Sequence, residues 1–326
     1  MIKKIINAES TSQVLEILAT EGDQARIIAG GTDLIIEMER GMRPGLATLV
    51  DISRVPALDR ITEDDQGWIH LGPLVTHSHC VASALIVEKA LPLAQAAVEV
   101  GAPQIRNRGT VAGNLITASP ANDTIGPLLA LGAEVSLESL RRGARRVRLA
   151  DFYTGVRQTV MAADEMLTGI HFPAMPENQR GMFIKLGLRR AQAISVVYVT
   201  VLLRMSGDLV DQASITLGSV SPTIMHATEA EASLIGSNLP ADRIGQAALL
   251  AAEAASPIDD VRSSARYRRE MVRVCTRRAL WALKYGRERA GFPQNPVLLW
   301  GARYDGAVVP PKSNHYGGSN FPIETT

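Results

Sequence analysis

Gln104-Ile-Arg-Asn-Arg-Gly-Thr-Val-Ala-Gly-Asn-Leu-Ile-Thr-Ala-Ser-Pro-Ala-Asn-Asp123 leads straight into the apolar run Ile125 to Leu131. It gathers Gly109, Gly113, Thr110, Asn114, Thr117, Ser119 and Asp123 with no clean helical or strand period. Backbone donors, short hydroxyls and amides dominate, and large apolar groups are few, which suits wrapping a polar ligand better than filling a core. The stretch reads as a binding loop. Upstream, Arg26-Ile-Ile-Ala-Gly-Gly-Thr-Asp-Leu-Ile-Ile36 has a short buried strand at Ile27 to Ala29, then Gly30-Gly31, then a Thr32-Asp33 pair opening a helical turn. Adjacent glycines let the backbone pass close to a phosphate with its N–H groups pointing outward, the anion-binding concavity that pyrophosphates favour. Taken alone, a Gly-Gly pair after a strand is also what a plain turn looks like.

Together the two loops resemble those of the FAD-binding subunit of the molybdenum hydroxylases, the family of xanthine dehydrogenase and aerobic carbon monoxide dehydrogenase. In that family a Gly-Gly-Thr-Asp/Glu-type loop and a Thr-x-Gly-Gly-Asn-type loop, usually preceded by Ile-Arg-Asn, hold the dinucleotide between two subdomains. The counterparts here are Ala29-Gly-Gly-Thr-Asp33 and Ile105-Arg-Asn-Arg-Gly-Thr-Val-Ala-Gly-Asn114, followed by Ala118-Ser-Pro and Asp123. Ala112 stands where the family usually has the first glycine of its pair, the smallest replacement available.

The resemblance implies an α+β chain: a two-subdomain FAD-binding fold of the vanillyl-alcohol-oxidase/PCMH type, then a C-terminal domain of a three-stranded sheet plus helices. It also implies roles. Ile27, Ile28, Ala29, Gly30, Gly31, Thr32, Asp33 and Leu34 would line the pyrophosphate and ribityl portion of FAD, with the backbone of Gly30, Gly31 and Thr32 donating to phosphate. Thr110, Val111, Ala112, Gly113, Asn114 and Thr117 would face the other side of the dinucleotide. Asp123 would accept from a hydroxyl or amide of the cofactor, and Leu167 would touch the flavin or adenine. Lys185 matches a family lysine near the flavin, where a cation favours the anionic reduced form; on residue chemistry alone it is equally a solvated lysine on a strand. Past Arg189-Arg190 the family often carries an acidic pair, whereas this chain has Ala191-Gln192-Ala193, which counts against nicotinamide reduction of the xanthine dehydrogenase kind.

By the same resemblance the chemistry on substrate belongs to a molybdopterin-binding large subunit. Electrons would cross the [2Fe–2S] clusters of a small subunit, and the FAD held here would pass them to an external acceptor, in a dimer of heterotrimers. Such a chain needs no catalytic residue or metal ligand of its own. Cys80 and Cys275 are the only cysteines, so this chain cannot ligate a four-cysteine cluster by itself. Two other readings stay open: a stand-alone flavin oxidoreductase, though no substrate pocket with its own acid or tyrosine is legible, and a non-catalytic FAD-binding module. A Rossmann dehydrogenase is disfavoured because no Gly-x-Gly-x-x-Gly follows the first strand.

With 326 residues, 46% hydrophobic and 21% charged, the chain can build two or three domains with their own cores. A net charge of +1 and 4% aromatics argue against a nucleic-acid binder. No apolar run reaches the roughly 18 residues of a membrane span and the start is too short for a signal peptide, so the cytoplasm is the expected compartment. His77, His79 and Cys80 invite a metal reading, but residues two apart point away from one another on a strand or a helix, and no further ligand stands at chelating spacing.

Taken in order, residues 1–55 read as a small α/β unit, the N-terminal FAD-binding subdomain, with Ser10 and Gln13 as a capping box. Residues 56–177 read as the middle subdomain, with strands at Trp68 to Leu71, Ala133 to Leu137, Arg145 to Leu149 and Glu165 to Phe172. From 178 to 290, three strand-like runs (Met182 to Leu188, Ala193 to Met205, Leu209 to Leu217) precede helical patterns at Ala227 to Leu234, Ile244 to Ala255 and Ser263 to Arg289, a separate α+β domain. Residues 291–326, rich in proline and glycine, form an extended tail that is either a partner-binding arm or a loose end.

Overall fold

The computed structural model describes residues 2–298, so most of the tail reading lies outside the described residues. At the N-terminus, β1 (Lys4–Asn7), β2 (Ala25–Ile28) and β3 (Thr48–Asp51) form a parallel sheet in the order β1-β3-β2. Parallel neighbours need a crossover, supplied by the helix Thr11–Glu21, whose Val14, Leu15 and Leu18 are buried. Ser10 caps it by accepting from the Gln13 N–H at 3.2 Å. The expected capping box is only half made, since the Gln13 carboxamide reaches back to the Glu9 N–H at 2.8 Å.

The middle unit is an antiparallel sheet in which β4 (Ile61–Glu63), β5 (Trp68–Leu71), β6 (Glu134–Ser139), β7 (Gly143–Arg148) and β10 (Met166–Pro173) run in the order β4-β5-β10-β6-β7. Between β7 and β10 sits a two-stranded hairpin, β8 (Tyr153–Gly155) with β9 (Gln158–Thr159). Neither β4 nor this hairpin was expected, for both are too short to show a period. The stretch 104–123 also differs from the irregular loop expected. It contains the short helices Pro103–Arg106 and Val111–Ile116, the second capped by Thr110, whose Oγ1 accepts from the Gly113 N–H at 2.9 Å.

In the C-terminal unit β11 (Gln179–Gly187), β12 (Ser195–Ser206) and β13 (Leu209–Gly218) form the three expected strands, and a two-residue β14 (Met225–His226) adds a fourth at the edge. One face, with Val197, Val199, Val201 and Leu203, packs on the helices Ala241–Ala254 and Ala265–Lys284. The other face belongs to the core of the middle unit, which takes in Phe183, Tyr198 and Leu202. A sheet covered on both sides loses the alternation of a half-exposed one, and β12 is indeed buried from Ser195 to Leu203. Gln95 completes the seam, accepting from the Phe183 N–H at 2.8 Å and donating to the Glu288 carbonyl at 2.7 Å.

Tyr198 shows how tightly that seam fits. A Cβ built on Gly218 would stand 1.9 Å from its ring, and one on Gly126 would stand 2.5 Å from it. The ring thus lies between two backbones, and its hydroxyl donates to the Asn122 carbonyl at 3.0 Å. Gly218→Ala should therefore overpack the seam and cost about 1–3 kcal/mol, read as a lower urea midpoint; an unchanged midpoint would show that the ring can move aside freely.

A second tie runs through Asp260. Its carboxylate accepts from the side chains of Arg262 at 2.6 Å and Arg268 at 2.5 Å; Arg262 also donates to the Ser195 carbonyl at 3.0 Å, and Arg268, only 1% exposed, to the Ser219 carbonyl at 2.8 Å. Although partial burial opposes it, hydrogen bonds from Arg262 and Arg268 hold the Asp260 carboxyl below the usual carboxylate range. A folded-state value below the unfolded one gives stability that is present above the unfolded pKa, about 3.9, and is lost as pH falls through the folded value. Asp260→Asn should remove that contribution, so wild type and variant differ in stability at pH 7 and converge under acid; a difference independent of pH would contradict this.

Candidate functional site

Where the N-terminal and middle units meet, a cleft of about 1020 Å³ is lined by both glycine loops. That volume is at the upper end of the roughly 300–1,000 Å³ of ordinary ligand pockets and suits a large ligand. The first loop leaves β2 at Ile28 and turns at Gly31, whose φ of 73° favours glycine. Thr32 and Asp33 follow, with the Thr32 hydroxyl 3.3 Å from Asp33 Oδ2, and the helix Leu34–Glu39 begins. At Gly30 the first loop touches the second: a Cβ there would lie 1.9 Å from the Arg108 carbonyl oxygen. Only glycine lets the two backbones come so close.

The second loop satisfies its own polar groups. Asn122 donates to the Asn114 carbonyl at 2.6 Å and to Thr117 Oγ1 at 2.8 Å, and the Thr124 hydroxyl donates to Asn114 Oδ1 at 2.6 Å. Thr117 in turn donates to the Gly113 carbonyl at 3.0 Å. The result is a stiff wall rather than a floppy loop.

Of the residues singled out in the sequence, Ile27 to Leu34, Thr110, Ala112, Gly113, Asn114, Thr117, Asp123 and Leu167 all line this cleft. Val111 stands apart: its side chain is fully buried in the core, and its N–H donates to the Val75 carbonyl at 2.9 Å. Lys185 stands behind the wall. Its ammonium lies 2.6 Å from Asp123 Oδ2 and donates to the Glu99 carbonyl at 2.9 Å, while the Ser195 hydroxyl donates to Asp123 Oδ1 at 2.5 Å. The lysine and aspartate side chains are 5% and 7% exposed. Burial pushes the Asp123 carboxyl up, opposed by the Lys185 ammonium and the Ser195 hydroxyl. The lysine that the resemblance implies near the flavin is thus paired with the buried Asp123 carboxyl. Lys185 is not the solvated lysine that residue chemistry alone allowed.

Sequence reasoning missed a third wall. The β8–β9 hairpin brings Arg157 to the cleft with its backbone in the left-handed region, φ 56°, and its N–H on the Ala118 carbonyl at 3.1 Å. Its guanidinium meets Glu37, on the helix after the first loop, at 3.1 Å, and Arg43 reaches the same carboxylate at 2.7 Å. No local pattern marks these three residues. His77 was weighed only as a metal ligand; it too lines the cleft, while the side chain of His79 accepts from the Thr76 N–H in a helix cap.

The fit to a dinucleotide can be judged from this chain alone. A left-handed glycine turn, a backbone crossing that excludes any Cβ and a long cleft flanked by short hydroxyl and amide side chains are what a pyrophosphate with two extended ends requires. Comparison with known proteins agrees. The family described as the FAD binding domain in molybdopterin dehydrogenase matches residues 2–175, and the CO dehydrogenase flavoprotein C-terminal domain matches residues 183–283. The chain is a FAD-binding medium subunit of the molybdenum hydroxylase family.

Among its relatives is the 6-hydroxypseudooxynicotine dehydrogenase complex subunit alpha of Paenarthrobacter nicotinovorans, 34% identical over 84% of this chain and 91% of that one. The carbon monoxide dehydrogenase medium chain of Afipia carboxidovorans is 32% identical over 83% and 93%. Among solved structures, carbon monoxide dehydrogenase from Hydrogenophaga pseudoflava has a chain that superposes with a TM-score of 0.83 at 28% identity, covering 88% of this chain and 98% of that one. These are subunits of oxidoreductase complexes, and FAD is the cofactor of this family's medium subunit, with molybdenum and iron–sulfur groups on other subunits.

Glu37 is 9% exposed at its side chain and serves two arginines. Glu37→Gln should cost about 1.5–3 kcal/mol, the range for hydrogen bonds to charged groups, and should raise amide exchange in the 153–159 hairpin before the rest of the middle unit. Uniform exchange across that unit would deny Glu37 a role in holding the hairpin.

Proposed function

We propose that this medium subunit holds FAD in the cleft between its two glycine loops, receives electrons from [2Fe–2S] clusters on a small subunit and hands them to an external acceptor. Its complex would add a molybdopterin-binding large subunit and assemble as a dimer of heterotrimers in the cytoplasm, where two unpaired buried cysteines are at home. The observation that carries the reading is the contact at Gly30 and Arg108, which joins two loops from different units into one wall.

Bound FAD supplies the redox chemistry. The chain supplies position. The N–H groups of Gly30, Gly31 and Thr32 would donate to the pyrophosphate, with Ile27, Ile28, Ala29, Asp33 and Leu34 lining the same side. Thr110, Ala112, Gly113, Asn114 and Thr117 would hold the opposite side, and Leu167 would pack on a ring. Asp123, with each oxygen already fixed by Lys185 or Ser195, keeps free lone pairs to accept from a cofactor hydroxyl or amide. Lys185 thus acts through Asp123, orienting the carboxylate. Substrate choice lies elsewhere: relatives named for 6-hydroxypseudooxynicotine and for carbon monoxide resemble this one chain along most of its length.

A Cβ on Gly113 would meet, beyond its own helix, only the Thr110 hydroxyl at 3.0 Å among the described residues. Gly113→Val should therefore fold and yet fill the cleft. The purified chain incubated with FAD should show flavin absorption after desalting, and the variant should lose it with an unchanged melting profile of the C-terminal unit. A folded variant with full flavin content would overturn the loop assignment.

A further inference from the structure

His77 opens the helix His77–Ala82, and its N–H donates to the Gly109 carbonyl at 3.1 Å. Thr76 and Thr110 form a β-bridge beside it, so this helix is stitched to the second loop. The imidazole Cδ2 and Nε2 lie 3.3 and 3.5 Å from the point where a Cβ on Gly109 would stand, and Gly109 follows Arg108, whose carbonyl Gly30 abuts. The ring therefore packs beneath the crossing of the two loops, within the cleft wall.

The His77 side chain is buried with one ring nitrogen unpaired among the described residues. The residue is 2% exposed, and its Nδ1 has no hydrogen-bond partner among the described residues. Burial first, and the nearby Arg106 charge second, hold its pKa down to about 3, so the ring is neutral at physiological pH. A neutral imidazole has one donor and one acceptor nitrogen. With no acceptor facing Nδ1, the proton belongs on Nε2, the edge turned toward Gly109. A polar group buried to this degree ordinarily has a partner, and an exception calls for a ligand or a role.

We propose that His77 is a cofactor-binding residue whose imidazole donates from Nε2 to a pyrophosphate oxygen of FAD at the crossing of the two loops. The inference rests on the reading of the cleft as the FAD site. It gives the pyrophosphate a side-chain donor besides the backbone N–H groups.

The test uses the whole chain labelled with 15N-histidine, observed by long-range 1H–15N spectroscopy of the imidazoles, with His77→Gln to assign the signals. Without ligand, His77 should be the neutral Nε2–H tautomer from pH 5 to 8. FAD should shift its Nε2 resonances, and riboflavin, which has no phosphate, should leave them in place. In equilibrium binding, His77→Leu should weaken FAD by about tenfold to a hundredfold, and His77→Gln, whose carboxamide nitrogen reaches about the same point, should recover most of the loss. FAD bound by wild type with unmoved His77 signals, or signals moved equally by riboflavin, would overturn the inference while leaving the cleft assignment intact. A wild type that takes up no flavin would overturn the cleft assignment and this inference with it.

Discussion

The approach of Gly30 to the Arg108 carbonyl is the constraint on which the site depends. Two loops far apart in sequence can form one wall only if their backbones touch, and touching leaves no room for a Cβ. Much of the surrounding structure keeps that contact in register. The parallel β1-β3-β2 sheet aims the first loop from β2, and Thr76 and His77 bind the second loop through the Thr110 bridge and the Gly109 carbonyl. The Arg157 hairpin spans both, bonding Ala118 on one side and Glu37 on the other.

The C-terminal unit takes part in this arrangement. Its β12 runs with one face in the core of the middle unit, and from it Tyr198 holds Asn122, Ser195 holds Asp123, and Lys185 on β11 completes the ion pair. Ser219, just past β13, donates its N–H to the Pro120 carbonyl at 2.8 Å. Four contacts thus converge on residues 120–123, the far end of the second loop. Removing one partner of a buried pair such as Asp123 and Lys185 leaves an uncompensated charge, which is far costlier than losing an exposed pair. The C-terminal unit thus fixes the far end of the second loop from behind, and among the described residues only its Gln192, Ala193 and Ile194 reach the cleft.

How much of this could be read from the chain follows from the range of each interaction. Residues 27–34 and 110–123 were legible because their chemistry is local: adjacent glycines, short polar side chains and a family pattern over a few positions. The long strands β10 to β13 were legible from apolar runs, and the helices Ala241–Ala254 and Ala265–Lys284 from their period. β4, the β8–β9 hairpin and β14 have too few residues to carry a period at all. The pairing of Asp123 with Lys185, 62 positions apart, and of Glu37 with Arg157, 120 apart, leaves no mark on local sequence. Val111 fits the motif in sequence but turns to the core, since one face of a short helix must be buried.

Amide hydrogen–deuterium exchange of the chain with and without FAD tests the shared-wall account most directly. Joint protection by FAD of the peptides covering 27–34 and 108–118, two segments that are separate in sequence and touch where Gly30 meets Arg108, is the predicted result. Protection confined to one of the two loops, or centred on the outer face of the five-stranded sheet, would contradict the account.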